Sequence, residues 1–163
     1  MVNDYHTAIE KALIAFGSKQ KIVKKCLRGN EKPISIVDSY SKKVVNYKPD
    51  VYFILNNRLK ILFQVLESEL YSQDTIIADV VRACFVENCH GIIFIHSSDK
   101  AEDQDRVLEA LATMIRGMNG KGIASEELPI KNYAYTISRK LAKNQSKTTA
   151  KIKRFCNTDK WFQ

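Results

Sequence analysis

A chain of 163 residues with 45% hydrophobic content is long and apolar enough for one domain with a real core. No apolar run approaches the about 18 residues that a membrane span needs, and the stretch from Met1 to His6 lacks the basic and apolar regions of a signal peptide, so a soluble, intracellular, cytoplasmic protein is expected. The net charge of +8 is unevenly placed: residues 1–128 hold 17 Lys+Arg against 17 Asp+Glu, whereas residues 129–163 hold 9 Lys+Arg against Asp159 alone.

Ala8, Ile9, Ala12, Leu13 and Phe16 recur at helical spacing, predicting a first helix from about Asp4 to Gly17 with Asn3 or Asp4 as its cap. His6 and Glu10, four residues apart, share a face of it beside the apolar stripe; an ordinary surface pair is the bland explanation. Lys19 to Lys32 reads as a basic linker. Pro33–Tyr40 alternates as a strand, turning through Ser41, Lys42 and Lys43 to pair with the strand that enters Pro49 and Asp50.

The central stretch, Tyr47 to Glu67, reads as two strands around a tight turn, with Asn56, Asn57 and Arg58 as turn chemistry. A three-residue turn sets Asp50 opposite Gln64. It also gathers Val51, Phe53, Leu55, Leu59, Ile61, Phe63 and Val65 on one face. A one-residue slip would scramble both faces, so this register is expected. The other face then carries Asp50 and Gln64, with Lys48 and Lys60 beside them.

Ser72 suits the cap of a helix through Ile76, Ile77, Val80, Val81, Cys84 and Phe85, ending near Cys89, His90 and Gly91. Cys84, Cys89 and His90 could be partial metal ligands, but cysteines on an apolar helix are read as buried structural thiols, and all four cysteines as reduced. Ile92–Ile95 is a continuous apolar run, as in a strand buried on both faces. Ser98 or Asp99 opens another helix, with Val107, Leu108, Leu111, Met114 and Ile115 inward and Arg116 near its end. Gly117, Gly120 and Gly122 then break the chain. Residues 131–157 read as one or two basic helices. Arg139, Lys140, Lys143, Lys147, Lys151, Lys153 and Arg154, interleaved with Tyr133, Tyr135, Phe155, Trp161 and Phe162, suit a nucleic acid, phosphates on the cations and bases on the aromatics. A solvated tail is the bland alternative. Residues 1–128 are therefore expected to form an α/β core, and 129–163 a basic helical extension packed on it or trailing from it.

Helix, strand, strand, strand, helix, strand, with Pro49-Asp50 on the second strand and Gln64-Val65-Leu66 on the third, resembles the PD-(D/E)xK nuclease superfamily over residues 4 to about 96. The resemblance implies a restriction-endonuclease-like αβββαβ core, a mixed sheet flanked by helices. Asp50 matches the family's aspartate, Gln64 stands at its second acidic position, and Glu10 is similar in placement to a first-helix glutamate near the metal. It implies a Mg2+- or Mn2+-dependent DNA endonuclease, with Asp50, Gln64 and Glu10 as metal ligands, and it allows a homodimer. Leu66 stands where the family has its lysine. Lys48 or Lys60 would have to supply that ammonium from elsewhere, and Glu67 and Glu69 offer a further acidic pair. The alternative is a nucleic-acid-binding or assembly protein that keeps the nuclease fold without the chemistry. No phosphate-binding Gly-rich loop, dinucleotide fingerprint or H-E-x-x-H helix is present.

Overall fold

The computed structural model describes residues 4–37, 42–66, 73–97 and 130–163. Helix α1 (Asp4–Ser18) buries Tyr5, Ile9, Ala12, Leu13 and Phe16 along one stripe. At its end a side chain on Gly17 would lie 2.4 Å from the Cys26 sulfur, so only glycine lets the helix sit this close to the sheet. Strand β1 (Val23–Leu27) follows, inside the stretch expected to be a linker. Its two lysines, Lys24 and Lys25, are both exposed because the register shifts between Val23 and Lys25, a bulge that breaks the alternation by which a strand is recognised. The strand lies at the edge of the sheet, where lysines discourage pairing with another chain.

Strands β2 (Ile34–Val37) and β3 (Val44–Tyr47) pair with each other as a separate two-stranded sheet. As expected, residues 34–37 pair across the turn with the segment that enters Pro49 and Asp50, Ile34 against Tyr47; this ladder does not continue along β4 (Val51–Leu55), whose outer side is taken by β1, Leu27 against Tyr52. The central hairpin is as expected: β4 (Val51–Leu55) and β5 (Lys60–Leu66) run antiparallel, Val51 against Phe63, around Asn56, Asn57 and Arg58. Arg58 takes the left-handed position (φ 74°), and the Asn57 side chain accepts the Leu59 N–H at 3.1 Å.

Helix α2 (Gln73–Cys84) ends five residues before Cys89, which opens β6 (Cys89–His96), so Cys89, His90 and Gly91 belong to a strand and not to the helix end. Strand β7 (Lys131–Thr136) pairs parallel with β6, Ile93 against Tyr133. Helices α3 (Arg139–Ala142) and α4 (Gln145–Thr158) complete the chain, each opened by a side-chain cap from Ser138 and Asn144. Residues 131–136 are thus a strand where a helix was expected. The basic segment is no appendage: Ile137, Ile152, Phe155, Cys156 and Trp161 are buried with α1 and one face of the sheet. The opposite face packs Tyr52, Leu62, Leu66, Ile92 and Phe94 against Ile76, Val80 and Ala83 of α2.

The result is a mixed α/β architecture, with a five-stranded sheet in the order β1-β4-β5-β6-β7 between helices. Glu67, Glu69, Ser72, the turn at residues 38–41, the helix expected from Ser98 or Asp99 to Arg116 and the glycines after it lie outside the described residues. No helix among the described residues is long and apolar enough to cross a membrane.

Candidate functional site

The central hairpin creates the site where its ladder runs out. The Leu55 N–H bonds to the Leu59 carbonyl, so in this register the Val65 N–H should reach the carbonyl of Pro49. That carbonyl is turned the other way and accepts from the Gly29 N–H at 2.9 Å. A Cβ on Gly29 would lie 1.9 Å from the same oxygen, so the approach requires glycine. The Val65 N–H is satisfied instead by Asp50 Oδ2 at 2.7 Å, and the Asp50 N–H donates to Gln64 Oε1 at 3.2 Å. Gln64 Nε2 in turn reaches the Tyr47 hydroxyl at 3.4 Å.

The second oxygen of Asp50 faces α1. His6 Nε2 stands 2.9 Å from Asp50 Oδ1 and 3.3 Å from Glu10 Oε2, bridging the two carboxylates, while Arg28 Nε lies 3.6 Å from Glu10 Oε1. Burial raises the Glu10 pKa; His6 and Arg28 oppose this, and the charge of Asp50 adds to it. A third acid approaches from α2. Asp79 is buried, with Arg82 3.4 Å away, and its carboxyl is pushed up to about 6, chiefly by burial and further by Asp50. The buried Tyr47 hydroxyl is raised as well, by desolvation and then by Asp79. Glu10, Asp50 and Asp79 are thus close enough for Asp50 to shift both of the others.

Beside this corner end the parallel strands, with Leu66, His96 and Thr136 in register. His96 is buried, its Nε2 3.2 Å from the Thr136 hydroxyl, and the buried Ser97 Oγ has no partner among the described residues. The carboxyl ends of parallel strands are where α/β sheets place their ligands.

Asp50, Gln64 and Glu10 therefore meet at one end of the sheet. Lys48 is exposed and forms no ion pair with them among the described residues. Lys60 is directed away, its Nζ donating to the Glu87 carbonyl at 2.8 Å by the opposite end of β5. Leu66 is core. As placed, these side chains do not fit Mg2+ or Mn2+: both Asp50 oxygens and both Glu10 oxygens face His6, Arg28 or a backbone N–H, and Gln64 Oε1 faces the Asp50 N–H. Among the described residues, no three His, Cys, Asp or Glu side chains are arranged to hold a metal ion. That applies equally to Cys84, Cys89 and His90. All four cysteines are free, and burial pushes Cys89 and Cys156 up to about 12, which leaves them protonated at neutral pH.

His6 and Glu10 were visible as one helix face, but Arg28, Tyr47, Asp79 and His96 were not singled out. The one sequence signal for Asp79 is an acid inside the apolar stripe Ile76, Val80, Ala83. Of the basic residues, Arg139 and Lys140 lie on α3, with Arg139 5.9 Å from the Tyr5 ring, and Lys143 caps that helix. Lys147, Lys151, Lys153 and Arg154 lie on α4; the first, second and fourth, at i, i+4 and i+7, form one stripe along adjoining grooves.

The structure revises the expectation for Asp50→Ala. On the sequence alone the change should be tolerated, since it relieves repulsion from Glu10. Here it also strands the Val65 N–H and removes an acceptor from His6, so a loss of about 1–3 kcal/mol in urea unfolding is expected. An unchanged midpoint would mean that the Val65 bond contributes nothing. Comparison with protein-family models, curated proteins and solved structures returned no match to this chain.

Proposed function

We propose that the chain is a nucleic-acid-binding protein on a restriction-endonuclease-like core, most readily for DNA, with the nuclease corner replaced by a His6-centred polar network. The order α1, β1, β4, β5, α2, β6 supports the core, with β1 in the role first given to residues 33–40 and β2–β3 as an insertion. The observation that carries the binding is the stripe of Lys147, Lys151 and Arg154. It stands on a helix anchored through Ile152, Phe155 and Cys156, so the charges are held in place and little ordering is lost when phosphates arrive.

Each phosphate neutralised contributes about 0.9 to the slope of log affinity against log salt on duplex DNA. The triple change Lys147→Ala, Lys151→Ala, Arg154→Ala is expected to reduce that slope by roughly 3 while leaving thermal unfolding nearly unchanged. Equal slopes for the wild type and the folded triple variant would rule the stripe out.

A second reading, a Mg2+- or Mn2+-dependent endonuclease, is favoured by the gathering of Glu10, Asp50 and Asp79, since perturbed carboxylates cluster at functional sites. It requires His6 to leave the gap between Glu10 and Asp50. Incubation with linear, branched and single-stranded DNA and either metal separates the two. Cleavage that disappears in Asp50→Asn would establish the second, with sedimentation testing for a homodimer. Binding without cleavage leaves the first.

A further inference from the structure

Among the described residues strand β7 lies at the edge of the sheet order, and its outer residues form an aromatic platform. Tyr133 is 40% exposed, yet its ring is held from behind: the Tyr135 ring stacks against it at 6.0 Å between centroids, and buried Trp161 meets it edge-on at 5.8 Å. Those supports are themselves fixed. Tyr135 stacks on Phe155 at 3.9 Å and accepts from Trp161 Nε1 at 3.0 Å, and its hydroxyl donates to Asp159 Oδ2. Lys131 Nζ donates to the Asp159 carbonyl and stands over the Tyr133 ring, 5.5 Å from its centroid. Beside the platform runs a groove of about 390 Å³ between β7 and α4, with Thr136, Lys151, Arg154 and Thr158 along it. Its one carboxylate, Asp159, is turned to the Tyr135 hydroxyl.

We infer that this edge takes single-stranded nucleic acid, one base stacking on Tyr133 and the adjoining phosphates lying against Lys151 and Arg154. A partly exposed aromatic ring beside a cationic groove suits an unpaired strand, because each base offers a π-face and each linkage a charge. A duplex keeps its bases stacked on one another and offers Tyr133 none. The ring is already locked by buried neighbours, so stacking costs little side-chain entropy. The inference rests on the nucleic-acid reading above and adds the form of the strand and the residue that recognises it.

The test compares wild type, Tyr133→Ala and Tyr133→Phe, each checked by circular dichroism, on fluorescein-labelled oligothymidylate and on a duplex of equal length. Tyr133→Ala is expected to weaken single-strand binding about tenfold, with Tyr133→Phe close to wild type and duplex binding unchanged in all three. Trp161, the single tryptophan, should change its emission when the oligonucleotide binds. Equal single-strand affinities for wild type and Tyr133→Ala, or equal losses on both substrates, would overturn the inference. Duplex binding without single-strand binding overturns it and leaves the nucleic-acid reading standing. A wild type that binds neither overturns both. Should Tyr133→Ala unfold, Tyr133→Leu decides instead, by whether single-strand affinity falls while duplex affinity holds.

Discussion

A chain ended after Leu128 is expected to lose its cooperative fold, and not merely its affinity for nucleic acid. Truncation removes β7, whose residues 131–136 pair with Gly91 to His96, so β6 becomes an exposed edge. It also removes Ile137, Ile152, Phe155, Cys156 and Trp161 from the cluster that covers Ile9, Leu13, Phe16 and Phe63. Burying a large apolar side chain contributes about 1.5–3 kcal/mol, so the loss of four such residues rivals the about 5–15 kcal/mol of a typical domain. Trp161→Ala is the single-site version. Trp161 is fully buried and donates to Tyr135, so about 3–5 kcal/mol is expected, with Trp161→Phe costing less. Urea unfolding followed by far-UV circular dichroism measures both. A truncated chain with a sharp transition near that of the full chain would show that residues 129–163 are an accessory, as their charge alone suggested.

Charge and burial are separable on one segment, so the basic composition of residues 129–163 left open whether they pack on the core or trail from it. On α4, Lys147, Lys151 and Arg154 advertise a solvated surface, while Thr148, Ile152, Phe155 and Cys156 lie buried on its other side. The central hairpin was legible because seven apolar residues alternate without interruption and a slip of one would expose them all. Strand β1 was not, because its bulge puts two lysines in succession on the outside. In β7, Lys131 and Tyr133 resemble a polar surface, and pairing with β6 decides what local pattern leaves open. At the site, Asp50 and Gln64 followed from register and Glu10 from helical spacing. Asp79 and Arg28 did not, because their approach depends on how α2 and the end of β1 pack around the corner, which no local pattern encodes.

Asp79→Asn is expected to stabilise the protein above neutral pH and to have little effect at about pH 4. The folded carboxyl titrates at about 6 against an ordinary 3.8, with burial as the main cause, so its charged form is disfavoured by the fold. Well below 3.8 the group is protonated in both states and the fold bears no penalty. Between 3.8 and about 6 the unfolded chain releases the proton that the folded one keeps, so stability falls as pH rises. Above 6 the full penalty applies, at most about 3 kcal/mol. Asparagine keeps the shape and a hydrogen-bonding oxygen without the charge. It forfeits the 3.4 Å contact with Arg82, whose side chain is half exposed and screened, so a net gain of about 1–2 kcal/mol is expected at pH 8. Thermal or urea unfolding of both proteins at pH 4, 6 and 8 measures this directly. A variant destabilised by the same amount at all three pH values would mean that Asp79 is held by hydrogen bonding and does not burden the fold. The predicted gain bears on function, because a buried acid that costs stability at neutral pH and feels the charge of Asp50 is a feature that folding alone does not favour. Measured on the same variant, nucleic-acid affinity and any metal-dependent cleavage report whether the charge at Asp79 serves either one.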